Sequence, residues 1–120
     1  MQRVLDRSDT QLVALDGDRV VGWCDVVRRN GQGFEHAGIL GMGLLPEYRS
    51  MGLGHRMLEA ALVRAREAGI ERIELSVWGS NEPARKLYER SGFETEGVQR
   101  KARVLDGITD DVVLMTKLKG

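Results

Sequence analysis

"LLPEYRSMGLGHRMLEAALVRA", residues 44–65, changes its periodicity at a glycine turn. Downstream of the turn, Met57, Leu58, Ala61, Leu62 and Ala65 recur at helical spacing, while Arg56, Glu59, Arg64 and Arg66 face away. Gly69 supplies the stop. Upstream, "FEHAGILGMGLL" reads as a strand with Ile39, Leu40, Met42 and Leu44 apolar. Gly41 and Gly43 are odd within it and predict a bulge or the close approach of a ligand. After the helix, "ERIELSVW" reads as another strand, with Ile73, Leu75 and Val77 on one face. Strand, crossover helix and strand predict a parallel pair in a right-handed βαβ unit. Gly52 and Gly54 stand at the mouth of the helix with Arg49 just ahead. The segment is either a tight entry turn or a seat for an anion. Up to four backbone N–H groups lack partners there, and the helix dipole adds partial positive charge.

Elsewhere the chain alternates in the same way. "TQLVALDGDRVVGWCDVVRR" reads as a hairpin turning at Asp16-Gly17, and "NGQG" (residues 30–33) as a second turn. "SNEPARKLYERSGF" reads as a short helix with Asn81 as N-cap, Pro83 in its first turn and Gly92 as its stop. The remainder is a hairpin turning at Asp106-Gly107. The order ββ-β-α-β-α-ββ is a mixed sheet with helices packed against it, an α/β (mixed α+β) fold, and residues 1–120 read as a single domain.

Composition narrows the function. Lys plus Arg and Asp plus Glu are 18 each, so no global field argues for nucleic acid or an anionic membrane, and an anion must be held locally. Cys24 is the only cysteine, which excludes an intrachain disulfide and a cysteine-based zinc site and fits a cytoplasmic protein. His36 and His55 make no metal constellation, and no metal is expected. Two known phosphate loops fail. A P-loop needs Lys-Ser/Thr after the last glycine, where His55 and Arg56 stand, and a dinucleotide fingerprint needs glycine at Met57. "RKAR" (residues 100–103) reads as an outward strand face.

"YRSMGLGHRML" resembles the Arg/Gln-x-x-Gly-x-Gly/Ala motif of the GNAT superfamily of N-acetyltransferases, and "ELSVWGSNEPARKLYERSGF" resembles the strand and helix that follow it there. The likeness covers roughly residues 11–118, and within the superfamily it is nearest to bacterial enzymes acetylating ribosomal proteins, amino acids or amines. It implies acetyl-CoA as acetyl donor and a primary amine, small molecule or protein N-terminus, that attacks the thioester directly in a ternary complex. It also implies site residues. Arg49, Ser50, Met51, Gly52, Leu53 and Gly54 wrap the pyrophosphate, with His55 in reach of a phosphate. Met42, Gly43 and Leu44 pair with the pantetheine arm, and an N–H placed at Leu44 stabilises the oxyanion. Asn81 touches the cofactor, and Tyr88 protonates the departing thiolate. Ser76 stands where relatives carry a glutamate base, so Glu74, two residues earlier on the same face, and a water relay are the alternatives.

The family usually begins with one strand and two helices before the first hairpin, and those helices wall the acceptor groove. Only about ten polar residues precede the first strand expected here, near Gln11. A truncated chain, a wall supplied by a partner chain, and an open site are the competing explanations. An uncovered core favours association, so a homodimer is expected. The alternative to an enzyme is an acyl-CoA-binding or structural module that kept the cofactor cradle and lost the acceptor site.

Overall fold

The computed structural model describes residues 2–6, 11–49 and 52–118. Seven strands form one sheet in the order β1-β2-β3-β4-β5-β7-β6, with β1 Gln2–Asp6, β2 Gln11–Asp16, β3 Arg19–Arg28, β4 Ala37–Leu44, β5 Arg72–Trp78, β6 Glu94–Leu105 and β7 Ile108–Leu118. Helix α1 (Leu53–Glu67) crosses from β4 to β5, and α2 (Glu82–Arg90) leads from β5 to β6. Only β4 and β5 run parallel, the βαβ unit that the sequence predicts. Every other pair is antiparallel.

The N-terminus corrects the sequence reading. Polar residues expected only to precede the first strand form β1, paired with β2 through Arg3↔Leu15 and Val4↔Ala14, and Val4 packs against the core. A five-residue strand with few apolar positions carries little periodic signal, and pairing with β2 holds it in place. The full order is therefore β-ββ-β-α-β-α-ββ. Residues 7–10 link β1 to β2. These residues lie outside those described.

Both hairpins form, with different turns. Asp106 and Gly107 both adopt positive φ (52° and 76°), the type I′ pattern. At the first hairpin the loop residues are Gly17 and Asp18, and only Gly17 is positive (61°), as in type II′. "RKAR" is no regular strand face: the β6–β7 register slips between Gln99 and Arg103, and Lys101 sits at φ 53°.

One face of the sheet carries the core. Leu53, Met57, Leu58, Ala61, Leu62 and Ala65 of α1 pack with Cys24, Leu40, Ile73, Leu75, Val77 and Met115, all under a tenth exposed. Strand alternation sends the intervening residues to the opposite face. There Trp23, Val27, Ile39 and Trp78 are 40–53% exposed, and no helix of the described chain covers them.

Candidate active site

Strands β4 and β5 pair over only three rungs, Ala37↔Arg72, Gly38↔Ile73 and Ile39↔Glu74. Past that point β4 stays with β3 as far as Leu44, while β5 stays with β7 as far as Trp78. The two strands separate and leave a gap that opens toward their C-terminal ends. The backbone of β4 faces it in a defined way. Leu45 N–H donates to Val21 O and Arg29 N–H to Ala37 O, which marks the odd-numbered residues of β4 as bonded to β3. In an antiparallel ladder bonded and non-bonded pairs alternate, so the N–H groups of Met42 and Leu44 point away from β3, into the gap.

No bulge produces this opening. The β3–β4 register runs unbroken from Gly22↔Leu44 to Arg28↔Gly38. Gly41 and Gly43 have a different reason from the one the sequence suggests. A Cβ at Gly43 would lie 2.5 Å from Trp23 Nε1, and one at Gly41 would lie 3.2 Å from Trp23 Cζ3. The two glycines make a bed for the indole on the uncovered face.

At the open end the chain turns through a 3₁₀ segment, Pro46–Tyr48, toward the start of α1. Tyr48 pins this turn to the first hairpin: its hydroxyl donates to Asp16 Oδ2 at 2.5 Å. That bond holds the Asp16 carboxyl below its ordinary value and raises the Tyr48 phenol. Nothing local in the sequence links residues 16 and 48. Arg49, exposed, donates from Nε to Leu44 O (3.2 Å), which ties the loop back to the end of β4. Ser50 and Met51 lie outside the described residues.

Gly52 caps α1 in the left-handed region (φ 78°), with open space where a Cβ would be. Among the described residues no side chain caps the helix, and its first turn contains no acid. The leading amides of Leu53, Gly54 and His55 are thus left for another acceptor. Gly54 does not keep the approach open. It is buried, and a Cβ there would meet Met42 Cε at 3.2 Å and Leu44 and Leu87 at 3.6 Å, so it lets α1 pack close to β4 and α2. Leu53 is a core residue, while the His55 side chain is exposed beside the free amides.

Helix α2 brings up Asn81 and Tyr88. Asn81 Oδ1 accepts from Ala84 N–H (3.3 Å), a true N-cap that leaves its amide NH₂ as a further donor. Tyr88 packs edge-on to Phe93, with ring centroids 5.8 Å apart, and borders the core cluster. Burial, with a smaller contribution from nearby Cys24, raises its pKa above the ordinary 10.0 and keeps the phenol protonated. Cys24 is fully buried, and its thiol is pushed up to about 12 by burial and then Asp25, so it is inert.

Glu74 sits at the closed end of the gap, on the last parallel rung. Arg72 Nε donates to it at 2.7 Å, and Arg29 Nη1 lies 3.4 Å from both of its oxygens. Arg72 is bound to Glu96 as well. Two guanidiniums therefore engage the Glu74 carboxylate. Among the described residues no cluster of three metal-ligating side chains occurs, and no helix is long and apolar enough to cross a membrane.

The model of the acetyltransferase (GNAT) family matches residues 2–93, across both the glycine turn and the Asn81–Tyr88 helix. The chain belongs to the GNAT family. Its relatives include the L-amino acid N-acetyltransferase AaaT of Escherichia coli, 30% identical over 121 residues that cover 98% of this chain and 74% of that protein. The mycothiol acetyltransferase of Geodermatophilus obscurus is 35% identical over 97 residues, 76% of this chain, which spans only 32% of that longer protein. A GNAT phosphinothricin acetyltransferase of Sinorhizobium meliloti, solved in complex with acetyl-CoA, superposes with a TM-score of 0.86 over 92% of this chain and 60% of its own, at 24% identity. That likeness shows that the fold is the GNAT fold.

Proposed function

We propose that the chain, acting as one domain over residues 1–120, binds acetyl-CoA and passes the acetyl group to a primary amine. One observation carries the reading: β4 and β5 part after Ile39 and Glu74, and the N–H groups of Met42 and Leu44 face a gap that leads to the uncapped start of α1. An extended pantetheine arm takes the place of the missing strand neighbour, and the diphosphate meets the amides of residues 52–55. Ser50 and Met51 complete that turn in sequence. Asn81 adds a donor along the arm.

The chemistry follows from the same groups. A thioester carbonyl over the Leu44 N–H gains a hydrogen bond as its oxygen becomes negative, worth on the order of 3 kcal/mol in the transition state. The amine attacks directly while both substrates are bound, and the thiolate leaves with the proton of Tyr88. Glu74 is occupied by its arginines, so a water carries off the proton of the amine. A module that only binds acyl-CoA is the weaker reading, because the relatives named above are acetyltransferases and binding needs no phenol at the sulfur. We place the protein in the cytoplasm, where a lone thiol stays reduced. We further infer a homodimer, because Val27 and Ile39 leave an exposed apolar patch at the closed end of the gap, which a second copy can cover while Trp23 and Asp25 stay open. Calorimetry of CoA binding beside thiol release from acetyl-CoA with a panel of amines tests the function. Binding with amine-dependent release supports it, and release that ignores amines counts against it.

A further inference from the structure

We propose that Asp25 and Trp23, on the uncovered face of the sheet, form the seat for the acceptor as a positively charged amine. This rests on the reading that the gap between β4 and β5 holds acetyl-CoA. Asp25 stands opposite Gly41 and Trp23 opposite Gly43 on adjacent same-face rungs. A Cβ on Gly41 would lie 3.2 Å from Asp25 Oδ1 and 3.2 Å from the Trp23 ring, so carboxylate and indole meet over one glycine.

Two features mark the pair as a binding site. The first is that Asp25, half-buried, has no hydrogen bond or ion pair with any described residue. Its neighbours on the same face differ: Glu74 and Glu96 are both held by Arg72. Its oxygens stay open to solvent, so an ammonium can reach the carboxylate and form a charge-assisted hydrogen bond there. The second is the indole, which lies on the glycines and is still 41% exposed, so it offers an aromatic surface beside the carboxylate. A cation is attracted to both.

The position suits the reaction. The Trp23↔Gly43 rung is one residue from Leu44, about 3.3 Å along the strand. An ammonium between Asp25 and the indole therefore waits beside the thioester, on the face where solvent has access. It gives one proton to water, and its lone pair attacks the carbonyl carbon. The C–N bond forms as the C–S bond breaks, the thiolate takes the Tyr88 proton, and the nitrogen releases its second proton to water, which returns one proton to the Tyr88 phenolate.

The test compares Asp25→Asn with the parent on tyramine and L-lysine amide, which are cationic at neutral pH, and on aniline, which is neutral. Asp25→Asn should raise KM for the cationic amines by about tenfold or more and change that for aniline by less than about twofold, with CoA affinity unaltered. Trp23→Leu should show the same selectivity, and Asp25→Glu should recover part of it. Unchanged KM for the cationic amines overturns the proposal. So does an equal loss on aniline, which would mark Asp25 as structural, and so does a parent that binds CoA but acetylates neither cationic amine. A parent that does not bind CoA strikes the underlying functional reading instead.

Discussion

Gly43 and Trp23 face each other across the β3–β4 ladder so closely that a single added methyl group would stand 2.5 Å from the indole nitrogen. Gly43→Ala should therefore displace the ring and destabilise the protein by about 1–3 kcal/mol, the usual cost of overpacking. In a Trp23→Ala background the same substitution should cost much less. Thermal denaturation of the four proteins measures the coupling. Additive effects would mean that the indole does not rest on Gly43.

His55 is exposed in the first turn of α1, next to amides that no side chain caps. A carboxylate there has two effects of opposite sign. It complements the helix dipole, so His55→Glu should stabilise the fold by about 0.3–1 kcal/mol. It also repels a diphosphate, so the same variant should weaken CoA binding by about tenfold. A denaturation midpoint and a calorimetric titration read the two effects. Equal or tighter CoA binding would move the diphosphate away from this turn.

The proton on Tyr88 is held by burial. Its pKa lies above 10.0, so the acid is present throughout the range below that and is lost only as pH rises through the raised value. Tyr88→Phe should keep CoA affinity and slow the chemical step by about a hundredfold. The ratio of parent to variant rates should stay flat between about pH 6 and 9, because the phenol does not titrate there. A ratio that changes across that interval, or a rate that is unaltered with chemistry limiting, would return Tyr88 to a packing role beside Phe93.

Ile39 is 51% exposed on the bare face, next to Val27 at 53%. A second copy covering this patch predicts a dimeric mass at micromolar concentration and a monomer for Ile39→Lys, since an ammonium on that patch would be buried on association. Light scattering distinguishes them, and a monomeric parent would remove the dimer.

Local chemistry made much of this molecule readable in advance. The stripe from Met57 to Ala65 could only be an amphipathic helix, Gly69 ended it, and Asn81 capped the next helix as its side-chain oxygen allows. The parallel pair followed from that connection. What stayed hidden depends on contacts between distant segments. β1 exists because β2 offers it a partner. Gly41 and Gly43 looked like a bulge or a ligand bed, and what fills their space is an indole from the neighbouring strand. Gly54, which looked like clearance for a phosphate, serves the packing of three elements. Glu74 looked available because a sequence does not show that Arg29 and Arg72 converge on it from separate strands. Tyr48 reaching Asp16, and Asp25 with no hydrogen bond or ion pair to any described residue, carry no local signal at all.

Amide chemical-shift mapping with added CoA tests the central claim most directly. The gap and the turn predict the largest shifts at Met42 and Leu44 on β4 and at Leu53, Gly54 and His55 at the start of α1, with smaller ones at Asn81. Shifts confined to other surfaces, such as the cavity of about 160 Å³ between β3 and the later turns of α1, lined by Cys24, Ala61, Ala65 and Ala68, with Met42, Leu44 and the turn unmoved, would contradict it.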